Sequence, residues 1–376
     1  MQIPLECTKP VNWRETLSGN DSRLKTNDQT IHILNAELLD SGGETRLANA
    51  TIRDGLFIET TALNNLEVDS TVIDAKGNLL IPGLHDHHTH LIAYAASMIS
   101  INCGLPGVQS EAGLKSALRA QPGNHWLRGT GYHESVLEHL DRQWLDTWAP
   151  NRPIRIQHRS GRLWILNSLG MEMIAHAALS LAPHEQVQLT SRDGRLYDVD
   201  ELLGKLTKFD VPPVRMACQQ LAAFGVTGIN DMTPSNNPET WKWFSELQVS
   251  QDLLQKVRMS GRPELFGCEQ TPRLSVGETK IHLHDSSLPD LDDFISTIKK
   301  SHQQQRNVAV HCVTEVELVY TLSAFRSAST LTGDRIEHAS VIPPALLAQL
   351  YELGLTVITQ PNFVHERGDA YLKDIP

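Results

Sequence analysis

Histidine is the residue type whose number and placement suggest chemistry in this chain of 376 residues, which contains 17 of them. Neutral imidazole is both the commonest transition-metal ligand in proteins and a general base near neutral pH. The densest group is LHDHHTH at 84–90, where the two-residue period of a strand would put Asp86, His88 and His90 on one face. Two imidazoles on one face indicate a metal site, although an isolated HxH fits polar residues at a strand end equally well.

Two further histidines close short apolar runs, in NVAVHC at 307–312 and DRIEHA at 334–339. Taken alone, His311 and His338 could each be a hydrogen-bonding residue after a buried strand. Their position at the ends of two predicted strands favours convergence with the first pair. By alternation, Cys312 is expected to face away as an inert buried thiol, and Glu337 to face away as an acid that only stabilises the fold.

Lys280 is a candidate of a different kind, because an ammonium group cannot bind a cation until CO₂ adds to it and gives an anionic carbamate. TKIHLHD at 279–285 places Lys280, His282 and His284 on one face. A lysine facing the inside of a parallel sheet is costly unless it is modified or paired. The alternative is a lysine near a solvated strand start, paired with Glu278 or another acid. His282 or His284 could line the site, or could donate a hydrogen bond that fixes a metal-ligating residue, and the sequence does not rank these two roles.

The elements that would position these residues alternate between strands and helices. Strand candidates lie at 79–90, 225–231, 256–261, 279–284, 307–312, 334–339 and 355–361. The segments between them have helical apolar spacing, which indicates parallel strands joined by right-handed crossovers. The predicted fold class is α/β, with a (β/α)8 barrel as the leading architecture and an open doubly wound sheet as the alternative. In a barrel the histidines would lie at the carboxyl ends of the strands, where barrel enzymes keep their chemistry.

Three segments are predicted around the barrel, which spans 79–376. Residues 1–28 form a polar lead with no assigned function. Short alternating runs at 29–78 predict a small β-sandwich-like module of antiparallel strands. The long connection at 103–213, inserted after the first strand, is expected to cover the catalytic face.

Charge and composition exclude several functional classes. The chain has 33 basic and 44 acidic residues, a net charge of −11, which argues against binding to nucleic acid or to an anionic membrane. The N-terminus lacks the apolar run of a secretory signal, so the expected location is cytoplasmic. Five cysteines without CxxC spacing predict reduced thiols. The expected partner is a small-molecule substrate, and formation of a homo-oligomer stays open.

PGLHDHHTH at 82–90 resembles the first-strand metal motif of the amidohydrolase superfamily. GVTGIND, VAVHC and RIEHA are similar to the ends of its second, fifth and sixth strands, in the expected order. The chain therefore resembles the amidohydrolase family 3-like branch of metal-dependent hydrolases, which is related to hydantoinases and N-acyl amino acid deacylases.

The resemblance implies a role for each matching residue. His88 and His90 would bind one metal ion, with further ligands from His311 and His338. Lys280 would be a carboxylated lysine that bridges two ions, and His338 could also polarise the substrate carbonyl. Asp86 would orient a ligand histidine rather than bind metal itself.

The implied reaction is hydrolysis of a non-peptide C–N bond, in an amide or cyclic amide, by water activated on one or two divalent ions. Zinc is the favoured metal, while manganese, iron and cobalt fit the same donors. Substrate choice is assigned to the insertion, where IQHRSGRLWILNSLG at 156–170 is similar to a stretch that covers the site in a relative. The candidate pocket residues there are His158, Arg162, Trp164 and Asn167, against the alternative that each only packs the insertion. Arg159 or Arg162 could bind a substrate carboxylate.

One element of the family pattern has no counterpart. The family carries a metal-ligating, proton-shuttling aspartate on strand eight, and this sequence stops at Pro376 after seven strand candidates. The favoured explanation is that the chain is part of a longer polypeptide. The alternatives are a natural truncation that acts as a non-catalytic binding or regulatory protein, and, among enzymes, a deaminase of a cyclic amidine.

Overall fold

The computed structural model describes residues 30–39, 43–53, 56–60, 70–121, 123–207, 212–364, 368 and 372. The predicted polar lead at 1–28 lies outside these residues. The chain divides into two units, Met1–Pro82 and Gly83–Pro376. Within the described residues, no helix is both long enough and apolar enough to cross a membrane.

The described part of the first unit is one mixed sheet rather than a purely antiparallel one. Its strands are β1 Ile31–Leu39, β2 Thr45–Arg53, β3 Leu56–Thr60, β4 Thr71–Asp74 and β5 Leu79–Leu80. β1 pairs antiparallel with β2, and parallel with both β4 and β5. The prediction of antiparallel strands therefore holds for the β1–β2–β3 meander and is wrong for β4 and β5, which run parallel to β1.

The second unit contains the parallel barrel and the insertion. Its strands are β6 Leu84–Thr89, β7 Ile101–Asn102, β8 Leu127–Tyr132, β9 Ile154–His158, β10 Leu163–Leu166, β11 Arg195–Tyr197, β12 Val226–Asp231, β13 Lys256–Gly261, β14 Leu274–His282, β15 Val308–Cys312, β16 Arg335–His338 and β17 Thr356–Ile358. Its α-helices are α1 Leu91–Ser97, α2 Glu111–Arg119, α3 Arg142–Trp148, α4 Ser168–Ala177, α5 Pro183–Gln188, α6 Asp200–Leu206, α7 Val214–Ala223, α8 Pro238–Val249, α9 Leu291–Gln303, α10 Glu315–Ala328 and α11 Pro344–Glu352.

Seven parallel strands form the barrel sheet, in the order β17-β16-β15-β14-β13-β12-β6. Each strand candidate of the sequence overlaps one of them. The sheet is curled rather than flat, because the Arg335 side chain on β16 donates a hydrogen bond of 2.7 Å to the backbone oxygen of His87 on β6, five positions away in the strand order. The α/β fold is thus a nearly closed parallel barrel, and the open doubly wound alternative is wrong.

Alternation along the barrel strands separates helix-facing from inward-facing side chains. On β15, Val308, Val310 and Cys312 belong to the apolar core that packs against the helices. The other side chains of the strand, Ala309 and His311, therefore face the interior of the barrel. Histidines placed at this period reach the inside of the barrel at the carboxyl ends of its strands.

The insertion between the first and second barrel strands has a sheet of its own. Its order is β11-β10-β9-β8-β7, with β7, β8 and β9 parallel and β9, β10 and β11 antiparallel. Two apolar cores lie in this segment, one around Tyr132 and Ile156 and the other around Trp164 and Leu203. The insertion is thus a folded subdomain rather than a long loop.

Candidate metal centre

The strand that carries the first histidine pair has one extra residue. Along β6 the register against β12 moves three positions from Asp86 to Thr89, while β12 moves two, from Ile229 to Asp231. Such a bulge interrupts simple alternation and redirects side chains. The carboxylate of Asp86 accepts the backbone N–H of His88 at 2.9 Å and so holds the irregular segment. Asp86 thus holds the backbone of a predicted ligand, His88, and its role in orienting that ligand stays a prediction.

Imidazoles from four barrel strands meet at one end of the barrel. The ring centre of His88 lies 5.2 Å from that of His90 and 4.6 Å from that of His338. The His311 ring lies 4.6 Å from His338 and 4.2 Å from His282. The structure therefore brings together the four histidines singled out in the sequence and adds His282, which the strand alternation of β14 placed on the same face as Lys280.

Hydrogen bonds at Nδ1 orient two of these rings. His88 Nδ1–H donates to the carboxylate of Glu337, and His338 Nδ1–H donates to Oε1 of Gln360 at 2.7 Å. A neutral imidazole with its proton on Nδ1 has its lone pair on Nε2. Metal-ligating histidines have this arrangement, with the second nitrogen bonded to an oxygen acceptor.

Glu337 lies in the site and does not face away from it, so its assignment as a purely structural acid is wrong. The residue is fully buried and contacts both the His88 ring and Nε of Arg335. Burial alone would raise its pKa, but the hydrogen bonds from His88 and Arg335 outweigh burial and lower the pKa to about 2. Alternation fails at this point because His338 and Ala339 have φ angles of 69° and 47°, a left-handed turn that directs the His338 ring back to the cluster.

Lys280 approaches the cluster from β14 and has a buried amine without a partner. The residue is 7% exposed, and among the described residues its Nζ has no hydrogen-bond partner. The alternative pairing with Glu278 is not observed, since that carboxylate bonds to Arg258 and Ser260. Burial lowers the pKa of Lys280 to about 8, although the Glu337 carboxylate opposes the shift. A buried polar group of this kind is costly, so Nζ is suited to a group that the polypeptide does not supply.

The electrostatics of the cluster favour uncharged imidazoles. Burial lowers the pKa of His88 to about 4 and that of His282 to about 3, and it also lowers the pKa values of His90, His311 and His338. All five rings are therefore neutral at pH 7, which is the form that binds metal. Clustered neutral imidazoles beside an unpartnered amine fit a divalent transition-metal ion.

The insertion places Arg162 near the barrel cluster, but already paired. Arg162 donates from Nε and Nη2 to the two carboxylate oxygens of Asp198, at 2.8 and 2.7 Å. Burial and the charge of Arg162 both lower the pKa of His284, whereas the charge of Asp198 opposes them. A substrate carboxylate at Arg162 would have to compete with Asp198.

Two other candidates in the insertion are packing residues. Asn167 is fully buried, and its Oδ1 accepts backbone N–H groups of Ile154 and Gly170, both at 2.9 Å. Its Nδ2 donates to the backbone oxygen of Arg152 at 2.8 Å, so its amide is fully used as the N-cap of α4. Trp164 is 3% exposed, within the second insertion core. The prediction that these two side chains contact substrate is therefore wrong.

His158, the remaining candidate in the insertion, ends β9 and contacts Glu134. The distance from His158 Nε2 to Oε2 of Glu134 is 3.0 Å. The ring also lies against Tyr132 and His133, with ring centres at 5.9 and 5.7 Å. His158 thus belongs to a second polar cluster, built from the ends of β8 and β9.

Comparisons with known proteins identify the family and support the fold. A family model described as the amidohydrolase family matches residues 71–375. The alignment with the protein LONG AFTER FAR-RED 3 of Arabidopsis thaliana is 434 positions long and 22% identical. It covers 98% of this chain and 72% of the relative. The N-substituted formamide deformylase of Arthrobacter pascens is 25% identical over 170 residues, 42% of this chain and 31% of the relative. A solved metal-dependent hydrolase from Pyrococcus horikoshii, described as uncharacterized, has a TM-score of 0.69 at 18% identity, covering 92% of this chain and 77% of that one, which shows a shared fold.

Proposed function

Since the chain belongs to the amidohydrolase family, we propose that it is a metal-dependent hydrolase that cleaves a non-peptide C–N bond in an amide or cyclic amide of a small molecule. The observation that carries the proposal is the convergence of His88, His90, His311 and His338 beside the unpartnered amine of Lys280. The name of the formamide deformylase relative supports a C–N bond as the target.

The chain's own side chains divide into ligands and groups that hold them. His88 and His90 would hold one ion, and His311, His338 and a modified Lys280 would complete one or two sites, with zinc as the favoured metal. A divalent ion there would lower the pKa of a bound water to about 7, which supplies a nucleophile at neutral pH, and would polarise the scissile carbonyl. Because Nδ1 of His338 carries the proton shared with Gln360, its Nε2 is an electron-pair donor, which favours a ligand role over donation to the substrate carbonyl.

Lys280 becomes a ligand by carboxylation. The neutral amine attacks CO₂, a new N–C bond forms and one proton leaves, so that a cation is replaced by an anion with two oxygens. With a pKa of about 8, about 10% of the Lys280 amine is neutral at pH 7, compared with about 0.03% for a lysine with a pKa of 10.5. Burial therefore increases the fraction of neutral Lys280 amine, which is the form that reacts with CO₂, and makes its cationic form costly. Both effects favour carboxylation.

The test combines metal content with turnover. His88→Ala should lose the metal bound at the barrel cluster and hydrolysis of amides and cyclic amides together, while His184→Ala, on an exposed part of α5, should keep both. A His88→Ala protein that retains full metal content and turnover would contradict the assignment. Ammonia release from cyclic amidines without amide hydrolysis would identify a deaminase instead. Metal binding without turnover of either class would favour a binding protein.

A further inference from the structure

We propose that His133, Glu134 and His158 form a second metal site, built on the insertion and outside the barrel strands, that takes a divalent transition-metal ion of the Zn²⁺ class. Each residue offers one ligand atom, and the three atoms lie within 4.8 Å of one another. Two imidazole nitrogens and one carboxylate oxygen are a donor set that zinc accepts, with its fourth position open to water or a ligand. This site is independent of the proposed barrel chemistry.

The backbone fixes the two histidines relative to each other. β8 and β9 are parallel neighbours, with Tyr132 in register with His158. The backbone N–H of Arg159 donates to the backbone oxygen of Tyr132 at 2.8 Å, so the hydrogen-bond ladder continues past the end of β9. The side chains that leave these two strand ends are therefore presented at one edge of the sheet, and the ring centres of His133 and His158 lie 5.7 Å apart.

Glu134 completes the set from between the two rings. Its Oε2 lies 3.0 Å from Nε2 of His158 and 3.7 Å from Nε2 of His133. Its other oxygen, Oε1, lies 3.8 Å from Nη2 of Arg195, which holds the carboxylate from the opposite side. All three candidate ligand atoms thus lie within 4.8 Å of one another, and the arginine approaches the oxygen that the ion would not use.

The same short pattern, histidine followed two residues later by serine, controls both rings. Nδ1 of His133 lies 2.9 Å from Oγ of Ser135, and Nδ1 of His158 lies 2.8 Å from Oγ of Ser160. The backbone N–H of each serine also donates to the same Nδ1 at 3.1 Å. Without an ion, this geometry puts the ring proton on Nε2, where it can donate to Glu134.

An ion would reverse this proton arrangement without a change in net charge. Nε2 would lose its proton to become the ligand atom, and Nδ1 would gain one. The serine hydroxyl oxygen could then accept a hydrogen bond from Nδ1–H, because its own O–H rotates freely. A metal-ligating histidine usually donates its second N–H to such an oxygen. The serine hydroxyls therefore suit either tautomer, whereas the backbone N–H groups of Ser135 and Ser160 suit only the metal-free one and would have to turn away from Nδ1 when an ion binds.

The accessibility of the three side chains suits an exchangeable ion. The rings of His158 and His133 are 15% and 27% exposed, whereas the Glu134 side chain is 43% exposed. An ion bound between the rings would be held by two partly covered histidine side chains and would keep the more exposed side of Glu134 open to solvent. Such openness is a property of catalytic and regulatory metal sites rather than of closed structural ones.

The test counts zinc ions per chain after equilibrium dialysis against buffered Zn²⁺, with metal measured by mass spectrometry. A chain with both His133→Ala and His158→Ala should bind one ion fewer than wild type, and Glu134→Gln should bind that ion at least tenfold more weakly. The matched control is His139→Ala, which removes a neighbouring histidine that lies 3.9 Å from Glu138 but is 84% exposed. His139→Ala should keep the wild-type stoichiometry. Equal stoichiometry in the double variant and the control would overturn the proposal.

Two further measurements keep this result separate from the barrel site and from folding. His88→Ala should lose barrel metal but retain the ion bound by His133 and His158, so failure of the two proposals can be told apart. In crystals soaked with Zn²⁺, an anomalous difference peak between His133, Glu134 and His158 supports the proposal. A flat anomalous map there, with zinc present at the barrel cluster, contradicts it even if a variant fails to fold.

Discussion

Replacement of Glu337 by glutamine tests whether the buried carboxylate under the cluster controls metal binding. In the structure this carboxylate accepts Nδ1–H of His88 on one side and contacts Nε of Arg335 on the other. Glutamine has the same size and still offers an oxygen to His88, so the change removes the negative charge with little change in packing. Glu337 is a positioning residue in this account, because it acts on the ion through His88.

The expected magnitudes follow from these two contacts. Mutation of the outer-shell partner of a metal-ligating histidine typically costs 10- to 100-fold in metal affinity, which corresponds to about 1.4–2.8 kcal/mol. In Glu337→Gln this loss would come from the missing negative charge, since an oxygen is still offered to His88. The substitution also removes the nearest counter-charge of buried Arg335, which among the described residues would keep only Glu278, with Oε1 3.9 Å from Nη1 of the arginine. Breaking a buried ion pair in this way lowers folding stability by about 3 kcal/mol.

A matched variant separates these two effects. Glu278→Gln removes another buried carboxylate near Arg335, but the hydrogen bonds of Glu278 go to Ser260 and Arg258 and not to a histidine. Both variants should therefore unfold at a lower denaturant concentration than wild type. A competing chelator should remove zinc from Glu337→Gln at a 10- to 100-fold lower concentration than from wild type, but from Glu278→Gln at the wild-type concentration. Unchanged zinc affinity in Glu337→Gln, or equal loss in both variants, would refute the role assigned to Glu337.

Two further predictions concern Lys280 and Asn167. In metal-free protein at pH 7, Lys280→Met should be more stable than wild type by about 3 kcal/mol, because the folded state lowers the lysine pKa from 10.5 to about 8 and so disfavours the charged amine. Above pH 8 wild-type stability should rise toward that of the variant, and a difference that stays constant from pH 7 to 10.5 in urea titrations would contradict the account. Asn167→Ala should lower stability by about 3 kcal/mol through the lost cap and the unpaired buried backbone groups, while kcat/KM of the folded fraction stays unchanged; a rise in KM alone would restore its assignment to the substrate pocket.

The strand order and four of the clustered histidines could be predicted because both depend on short-range patterns. Apolar runs separated by helical spacing specify parallel strands, and parallel strands present their carboxyl ends at one edge. A histidine that closes such a run, as His311 and His338 do, therefore ends at the same edge as the others, although the His338 ring reaches the cluster only through the left-handed turn at the end of β16. The histidines are far apart in the sequence, but this does not weaken the expectation that they converge, since the helical crossovers place the carboxyl ends of all the strands at one edge of the sheet.

The missed and misassigned residues depend on geometry that no local pattern contains. Glu337 was placed on the wrong side because strict alternation was extended through His338, where the backbone is already left-handed. Asn167 was assigned to a pocket because its sequence context does not show that backbone groups of Ile154, Gly170 and Arg152 use its whole amide. The pairing of His133 with His158 likewise requires knowledge that β8 and β9 are neighbours.

The left-handed turn at the end of β16 explains why the barrel cluster is more compact than alternation predicts. Non-glycine residues rarely adopt positive φ, and each such residue costs about 1–3 kcal/mol. The structure offsets part of this cost with hydrogen bonds from the backbone N–H of Ala339 to the backbone oxygens of Cys312 and Glu337, both at 2.9 Å. A strand that continued in regular extended form would direct His338 toward the helices, on the side of Ile336, and away from His311. The strained turn therefore lets one strand end supply both a candidate ligand, His338, and the carboxylate that orients another.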